Sequence, residues 1–251
     1  MMAKTAKTSR RRDGAEDGAP GAHEPSQTAT ETSGGSREAL IRAAITRFGE
    51  EGYAAASIRA IAADAGVNLS LISYYFGGKQ GLYEACARDI VDRLSAIAGR
   101  AILPFGGEAA ELPPADASLG VLERALSAMV DFLVREEASQ AVVRFIMREL
   151  GNPGLVVDIL YDDVMQPVHA AACRLWAAAT GGDADSEALK LTVFSMIGQV
   201  VYFRIARPVV QRRLGWKEMG VGEVEAIKAA IIANLRAAAH VARLENETAN
   251  S

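Results

Sequence analysis

Apolar residues recur at helical spacing along most of the chain, and no stretch alternates as a half-buried strand would. Between Ser36 and Gly52, the positions Leu40, Ile41, Ala44, Ile45 and Phe48 share one face and predict an amphipathic helix. A short second helix follows, with Ser57 in the capping position and Ile58, Ile61 and Ala62 directed inward. Gly66 supplies a tight turn. A third helix then starts at Asn68, with Ile72 and Phe76 inward and Leu69, Ser70, Ser73 and Tyr74 on the other face. Two short helices joined at a glycine and braced by a longer one make a helix-turn-helix, placed at residues 57–76.

From Lys79 to Leu103 one stripe of Leu82, Ala85, Cys86, Ile90, Leu94 and Ile97 predicts a long connecting helix. Residues 104–117 lose all periodicity among prolines and glycines and read as a surface loop. Further helices are expected at about 118–136, 139–150, 155–179, 185–214 and 222–245, with Pro167 and Pro208 kinking or dividing two of them. The segment 185–206 is apolar on nearly every side, so its own domain cannot cover it all. Together with the alanine-rich last helix it predicts a four-helix interface between two copies of the chain. The expected class is all-α: a disordered tail over residues 1–33, a three-helix head over 34–94 and a larger helical domain over 95–251.

Composition narrows the function. The 251 residues are 50% hydrophobic, enough for one or two ordinary cores. A net charge of −4 argues against indiscriminate polyanion binding and leaves room for a local basic face. Two cysteines, Cys86 and Cys173, lack a CxxC spacing, which points to a reduced, cytoplasmic setting. The polar first residues carry no apolar leader segment, and the longest apolar run, Leu191 to Phe203, is shorter than the ~20 residues that cross a bilayer; no membrane partner is expected. Lys4, Lys7 and Arg10 to Arg12 can reach DNA phosphates, although Asp13, Glu16 and Asp17 dilute their field and a solvated tail is the simpler reading. No nucleophile elbow, phosphate-binding loop, dinucleotide glycine pattern or zinc-ligand spacing occurs, and His23, His169 and His240 lie far apart. No catalytic residue, metal site or cofactor is therefore expected.

The ordered set Phe48 to Gly52, Ser57, Arg59, Ile61-Ala62, Gly66-Val67, Tyr75-Phe76 and Lys79 resembles the amino-terminal domain of TetR-family transcription regulators. Val142 to Leu150, Val164 to Ala171 and Ile197 to Trp216 resemble, more weakly, the CecR-like branch of that family. The resemblance implies a homodimeric regulator, with repression as the expected mode. It would bind double-stranded palindromic operator DNA and sense a small-molecule effector with its larger domain. The implied DNA contacts are Ser57, Arg59, Asn68, Leu69, Ser70, Ser73, Tyr74, Tyr75 and Lys79. Ser73 stands where the family often has tyrosine, so a phosphate-contacting phenol is expected from Tyr74 or Tyr75.

Each contact has a physical reason. The start of the Ser57 helix can hold a phosphate, Arg59 can reach a guanine edge, Leu69 a thymine methyl, and Lys79 can neutralise a phosphate. For the effector, polar groups embedded in apolar helices are the candidates, because a buried polar group needs a partner. Phe145, Arg148, Met165, His169, Gln199, Tyr202 and Phe203 form the expected pocket, with Arg148 and Glu149 more simply read as a structural ion pair and His169 as a satisfied core histidine. The rival function is an all-α enzyme or scaffold whose head serves protein contacts.

Overall fold

A computed structural model describes residues 27–99, 101–107, 109–135, 139–151 and 154–249, all helix or connection, with no strand among them. The basic cluster of the tail lies outside the described residues. Helix α1, Gln27–Ala55, begins inside the segment expected to be a disordered tail, so the helix is longer at its start than the apolar pattern alone indicates. Leu40, Ala44 and Phe48 are fully buried on its inner face. At Gly52 the backbone leaves helical geometry with φ 84° and ψ 165°, a combination open to glycine and hostile to side chains.

Helices α2 (Ile58–Asp64) and α3 (Ser70–Phe76) form the predicted motif. Ser57 holds the N-cap place with extended backbone, φ −95° and ψ 126°, but its hydroxyl makes no capping bond. Gly66 turns the chain at φ 67° and Gly77 ends α3 in the left-handed conformation. Ile61 and Ile72 plug the two helices into the core, while Phe76 is only half-buried. Helix α4, Lys79–Gly99, follows directly; it stops short of Leu103, which instead opens a 3₁₀ turn ending at Phe105.

Helix α5 (Ala115–Val130) runs on into a π-helical turn, Asp131–Arg135, and α6 (Ser139–Leu150) crosses back over α1. The segment expected as one helix from 155 to 179 is α7 (Leu155–Leu160), a second π-helical turn at Tyr161–Met165, and α8 (Gln166–Thr180). Pro167 falls in the first turn of α8, where a missing amide hydrogen costs little, and the wide turn before it gives the ring room. The segment 185–214 is likewise two helices, α9 (Glu187–Ile205) and α10 (Arg207–Leu214), divided at Ala206 just ahead of Pro208. Helix α11, Val221–Ala249, closes the chain.

A single core runs from Leu40 on α1 to Leu235 and Ala239 on α11. Val193, Met196 and Val200 bind α9 into it, whereas Leu191, Phe194, Tyr202 and Ile205 on the other side are each more than half exposed. Val200 and Ile231 are therefore core residues. Helix α9 is longer than the apolar run read from sequence, and by length and hydropathy, 1.3 over its best window, it meets the requirement for crossing a bilayer, with 22% of that window buried.

Candidate nucleic-acid interface and effector clefts

Helix α3 has one face in the core and the other in solvent, and the solvent face carries the residues proposed to read DNA. Asn68, Leu69, Ser70, Ser73 and Tyr74 are exposed, the last at 78%. Ser57 and Arg59 are exposed at the start of α2, and the Ser57 hydroxyl has no capping duty. Tyr75 is half-buried, its ring 5.0 Å from that of Tyr74 and 6.0 Å from Phe76, so Tyr74 is the phenol presented outward.

Three of the proposed contacts have structural work. The Asn68 carboxamide oxygen accepts from the Ser70 amide at 2.9 Å and the Ser70 hydroxyl at 2.8 Å, which organises the first turn of α3. Lys79 donates from Nζ to the Ala54 carbonyl at 3.2 Å and lies 4.9 Å from the Tyr53 ring centre, pinning the start of α4 to the end of α1. The expected free phosphate-binding lysine is thus in part a strut. Arg47, which sequence reasoning passed over, joins α1 to α2 by bonding Asp64 at 2.5 Å, and it also bonds Glu51 of its own helix at 2.7 Å. That hydrogen bond from Arg47 holds the Asp64 carboxyl below the usual carboxylate range. The basic residues between 34 and 94 are matched in number by acidic ones, so the head offers a few placed cations and no basic field.

The head meets the later helices through α6. Arg148 donates to the carbonyls of Gly49 at 3.2 Å and Glu50 at 2.7 Å. Its neighbour Glu149, only 7% exposed, lies near enough to Tyr83 on α4 for its carboxylate to act on the phenol. Arg148 and Glu149 thus serve two different elements of the head. Tyr83 sits among Phe48, Tyr53 and Phe145, with ring centres 4.9, 4.7 and 5.5 Å away, and burial followed by the Glu149 carboxylate pushes its phenol well above the ordinary value. The helices approach closely at Gly49, where a β-carbon would stand 3.0 Å from the Phe145 backbone nitrogen.

The residues expected to form one effector pocket are dispersed. Phe145 is fully buried in the joint just described. His169 stacks on Phe194 at 3.9 Å, with Nε2 3.2 Å from the Lys190 carbonyl and Nδ1 3.6 Å from the Cys173 sulfur, so it joins α8 to α9. Gln199 accepts from Asn234 at 2.8 Å, joining α9 to α11. Met165 lies in the second π-helical turn, Tyr202 is exposed, and Phe203 is half-buried beside it. Helices of this length turn such side chains toward different neighbours, which spacing alone does not reveal.

Two clefts appear elsewhere. One, of about 580 Å³, lies between the end of α4 and α5, lined by Ile97, Phe105, Val121, Arg124, Asp131 and Phe132 among others. Asp131 is already engaged there by Lys228 at 2.9 Å. The other, of about 700 Å³, lies between Gly49 on α1, the Arg144 and Arg148 side of α6, and the corner of α9 and α10 at Arg204 and Arg207. Of the expected effector residues, Arg148 reaches this second cleft. Burial pushes the thiols of Cys86 and Cys173 up, which keeps both protonated.

Helices throughout the described residues, with an exposed helix-turn-helix near the start, fit the class of helix-turn-helix DNA-binding regulators. Residues 40–86 match the bacterial regulatory proteins of the TetR family, and residues 120–240 match the C-terminal domain of the HTH-type transcriptional dual regulator CecR. The chain is 32% identical over 204 residues to the HTH-type transcriptional dual regulator CecR of Shigella flexneri, covering 79% of this chain and 89% of that protein. It therefore belongs to the TetR family of transcription regulators, which are not enzymes. A HTH-type transcriptional regulator BetI 2 of Chromohalobacter salexigens is 48% identical over 65 residues, 26% of this chain and 31% of that one. Among solved structures, a TetR-like regulator from Rhodococcus sp. RHA1 shares the fold with a TM-score of 0.55 at 17% identity, over 80% of this chain and 93% of that chain. A TetR-family regulator from Streptomyces coelicolor does so with a TM-score of 0.56 at 16% identity, over 88% and 98%.

Proposed function

We propose that this regulator is a cytoplasmic homodimeric repressor that grips a two-fold symmetric operator with one head per half-site and lets go when a small molecule binds. The observation that carries the DNA contact is the solvent face at α3, where Leu69, Ser73 and Tyr74 stand exposed, as does Arg59 on α2. A helix with small and apolar groups leading and a phenol at its flank fits a major groove, with phosphate contacts setting its register.

Two adjacent helices support the dimer. On α9 the exposed row is Leu191, Phe194, Ser195, Gly198, Tyr202 and Ile205, and on α11 it is Ala226, Ala230, Ala233, Ala237, Val241 and Leu244. Contiguous apolar rows of this size need a cover, and Gly198, with open space where a β-carbon would be, admits a close-lying helix. A second copy suits this surface better than lipid. The rest of α9 is already in the core through Val193, Met196 and Val200, and its apolar row continues across α11 as small alanines.

The test is selection of a preferred duplex from a random pool, followed by competition against bulk DNA at several salt concentrations. A symmetric site, bound by two chains with affinity that falls as salt rises, is the expected result. A chain that binds no duplex above bulk DNA overturns the reading.

A further inference from the structure

The cleft at the joint between head and body has a chemistry the fold does not require. Arg144 and Arg148 from α6 and Arg204 and Arg207 from the α9–α10 corner line it, and none of the other lining residues is acidic. The nearest compensation is Glu50, 3.5 Å from Arg144. Arg148 donates to the backbone carbonyls of Gly49 and Glu50. Arg204 and Arg207 make no ion pair among the described residues, and both are half-buried. Burial, then the positive charges of Arg207 and Arg144, push the Arg204 guanidinium below its ordinary value. Like charges gathered in a half-buried space cost stability, and an anion removes that cost.

The same cleft has an apolar wall. Val143 is buried, and Met147 and Ile205 stand partly open at its edge. Its volume of about 700 Å³ suits a molecule of drug-like size. A row of duplex phosphates fits a convex basic surface, whereas a concave space with charge on two sides and hydrocarbon on a third fits a small molecule. The other cleft lacks this imbalance, because Asp131 is paired with Lys228.

We propose that the cleft between α1, α6 and the α9–α10 corner binds a small amphipathic anion, a carboxylate or phosphate monoester with an apolar tail, held by Arg204 and Arg207 and shared with Arg148. Guanidinium pairs recognise both head groups through two parallel hydrogen bonds. The regulatory consequence rests on the DNA-binding reading above. An anion drawing Arg148 toward the cleft competes with the Gly49 and Glu50 carbonyls, so occupancy loosens the bond between α6 and the head.

Calorimetry on the full chain without DNA tests the site, using octanoate, octyl phosphate, octylammonium, 1-octanol and inorganic phosphate at one ionic strength. Octanoate or octyl phosphate is expected to titrate to saturation, the stronger of the two identifying the head group. The cation, the alcohol and inorganic phosphate should bind at least about tenfold more weakly. An Arg204→Gln, Arg207→Gln double variant with unchanged circular dichroism should lose at least about tenfold in affinity for the anion. The proposal is overturned if octanol or octylammonium binds as well as the anions, if inorganic phosphate matches octyl phosphate, or if the double variant binds like the parent. It is also overturned if that variant keeps anion affinity and loses affinity for duplex, which would make these arginines DNA contacts. Because no DNA enters the calorimetry, a chain that titrates octanoate but binds no operator upholds the site and removes the regulatory reading alone.

Discussion

Arg148 on α6 donates to the carbonyl of Glu50 on α1 at 2.7 Å, a bond between residues 98 positions apart that ties the DNA-reading helices to the rest of the molecule. Gly52 follows two residues later with φ 84°, so the guanidinium holds α1 where the chain leaves helical geometry. Arg148→Ala is expected to cost about 1–3 kcal/mol of stability, since two carbonyls lose a charged donor. Urea denaturation read alongside operator titration checks it. Stability and affinity both unchanged would show that the bond does not hold the joint.

Tyr83, acted on by Glu149, titrates with a definite sign. Its folded value lies above the ordinary one, so its contribution is complete below the unfolded value of about 10 and is lost as the pH rises beyond it. The parent protein should therefore lose stability on going from about pH 9 to 11, and Tyr83→Phe should lose less over that window. Denaturation midpoints of both proteins across that range decide it, and parallel pH profiles would exclude Tyr83 as the titrating group.

Gly81 is fixed by sterics. A β-carbon there would overlap the Phe76 carbonyl oxygen, so α3 can end against α4 only over a glycine. Gly81→Ala should destabilise by about 3 kcal/mol and displace the recognition helix. A variant with parental melting temperature would contradict the close approach.

Arg59 and Lys79 should differ in kind. Arg59 is exposed, so Arg59→Ala is expected to leave the melting temperature unchanged and to cost about 1–3 kcal/mol of preference for operator over scrambled duplex. Lys79→Ala removes the bond to Ala54 and the contact with Tyr53, so it should lower the melting temperature as well as weaken binding to every sequence. Equal losses of specificity in the two variants would defeat the assignment.

The proposed subunit interface separates surface from core on a single helix. Leu191→Glu and Gly198→Glu should give folded monomers, because both positions face solvent. Val200→Glu should unfold the chain, because that side chain is fully buried and a lone charge there has no partner. Sedimentation with circular dichroism distinguishes them. A parent protein that sediments as a monomer at micromolar concentration would remove the interface and the symmetric operator with it.

The order of short-range signals along residues 36–82 was enough to determine the head. Leu40, Ala44 and Phe48 mark one helix face, Gly66 the turn and Ile72 the inward side of the next helix, and local backbone preference and burial pull these in the same direction. Helical periodicity likewise settled the all-α class and most of the later helices. Which side chains meet was decided by tertiary structure, because a helix with apolar groups all round carries no mark of its inner face: Val200 proved to be core while Gly198, two residues earlier, is bare. The same reason dispersed the expected effector residues, sending His169 to Phe194, Gln199 to Asn234 and Arg148 to the first helix. The four arginines of the joint lie on α6 and at the α9–α10 corner, more than fifty residues apart, and only the crossing of α6 over α1 beside that corner brings their charges into one cleft.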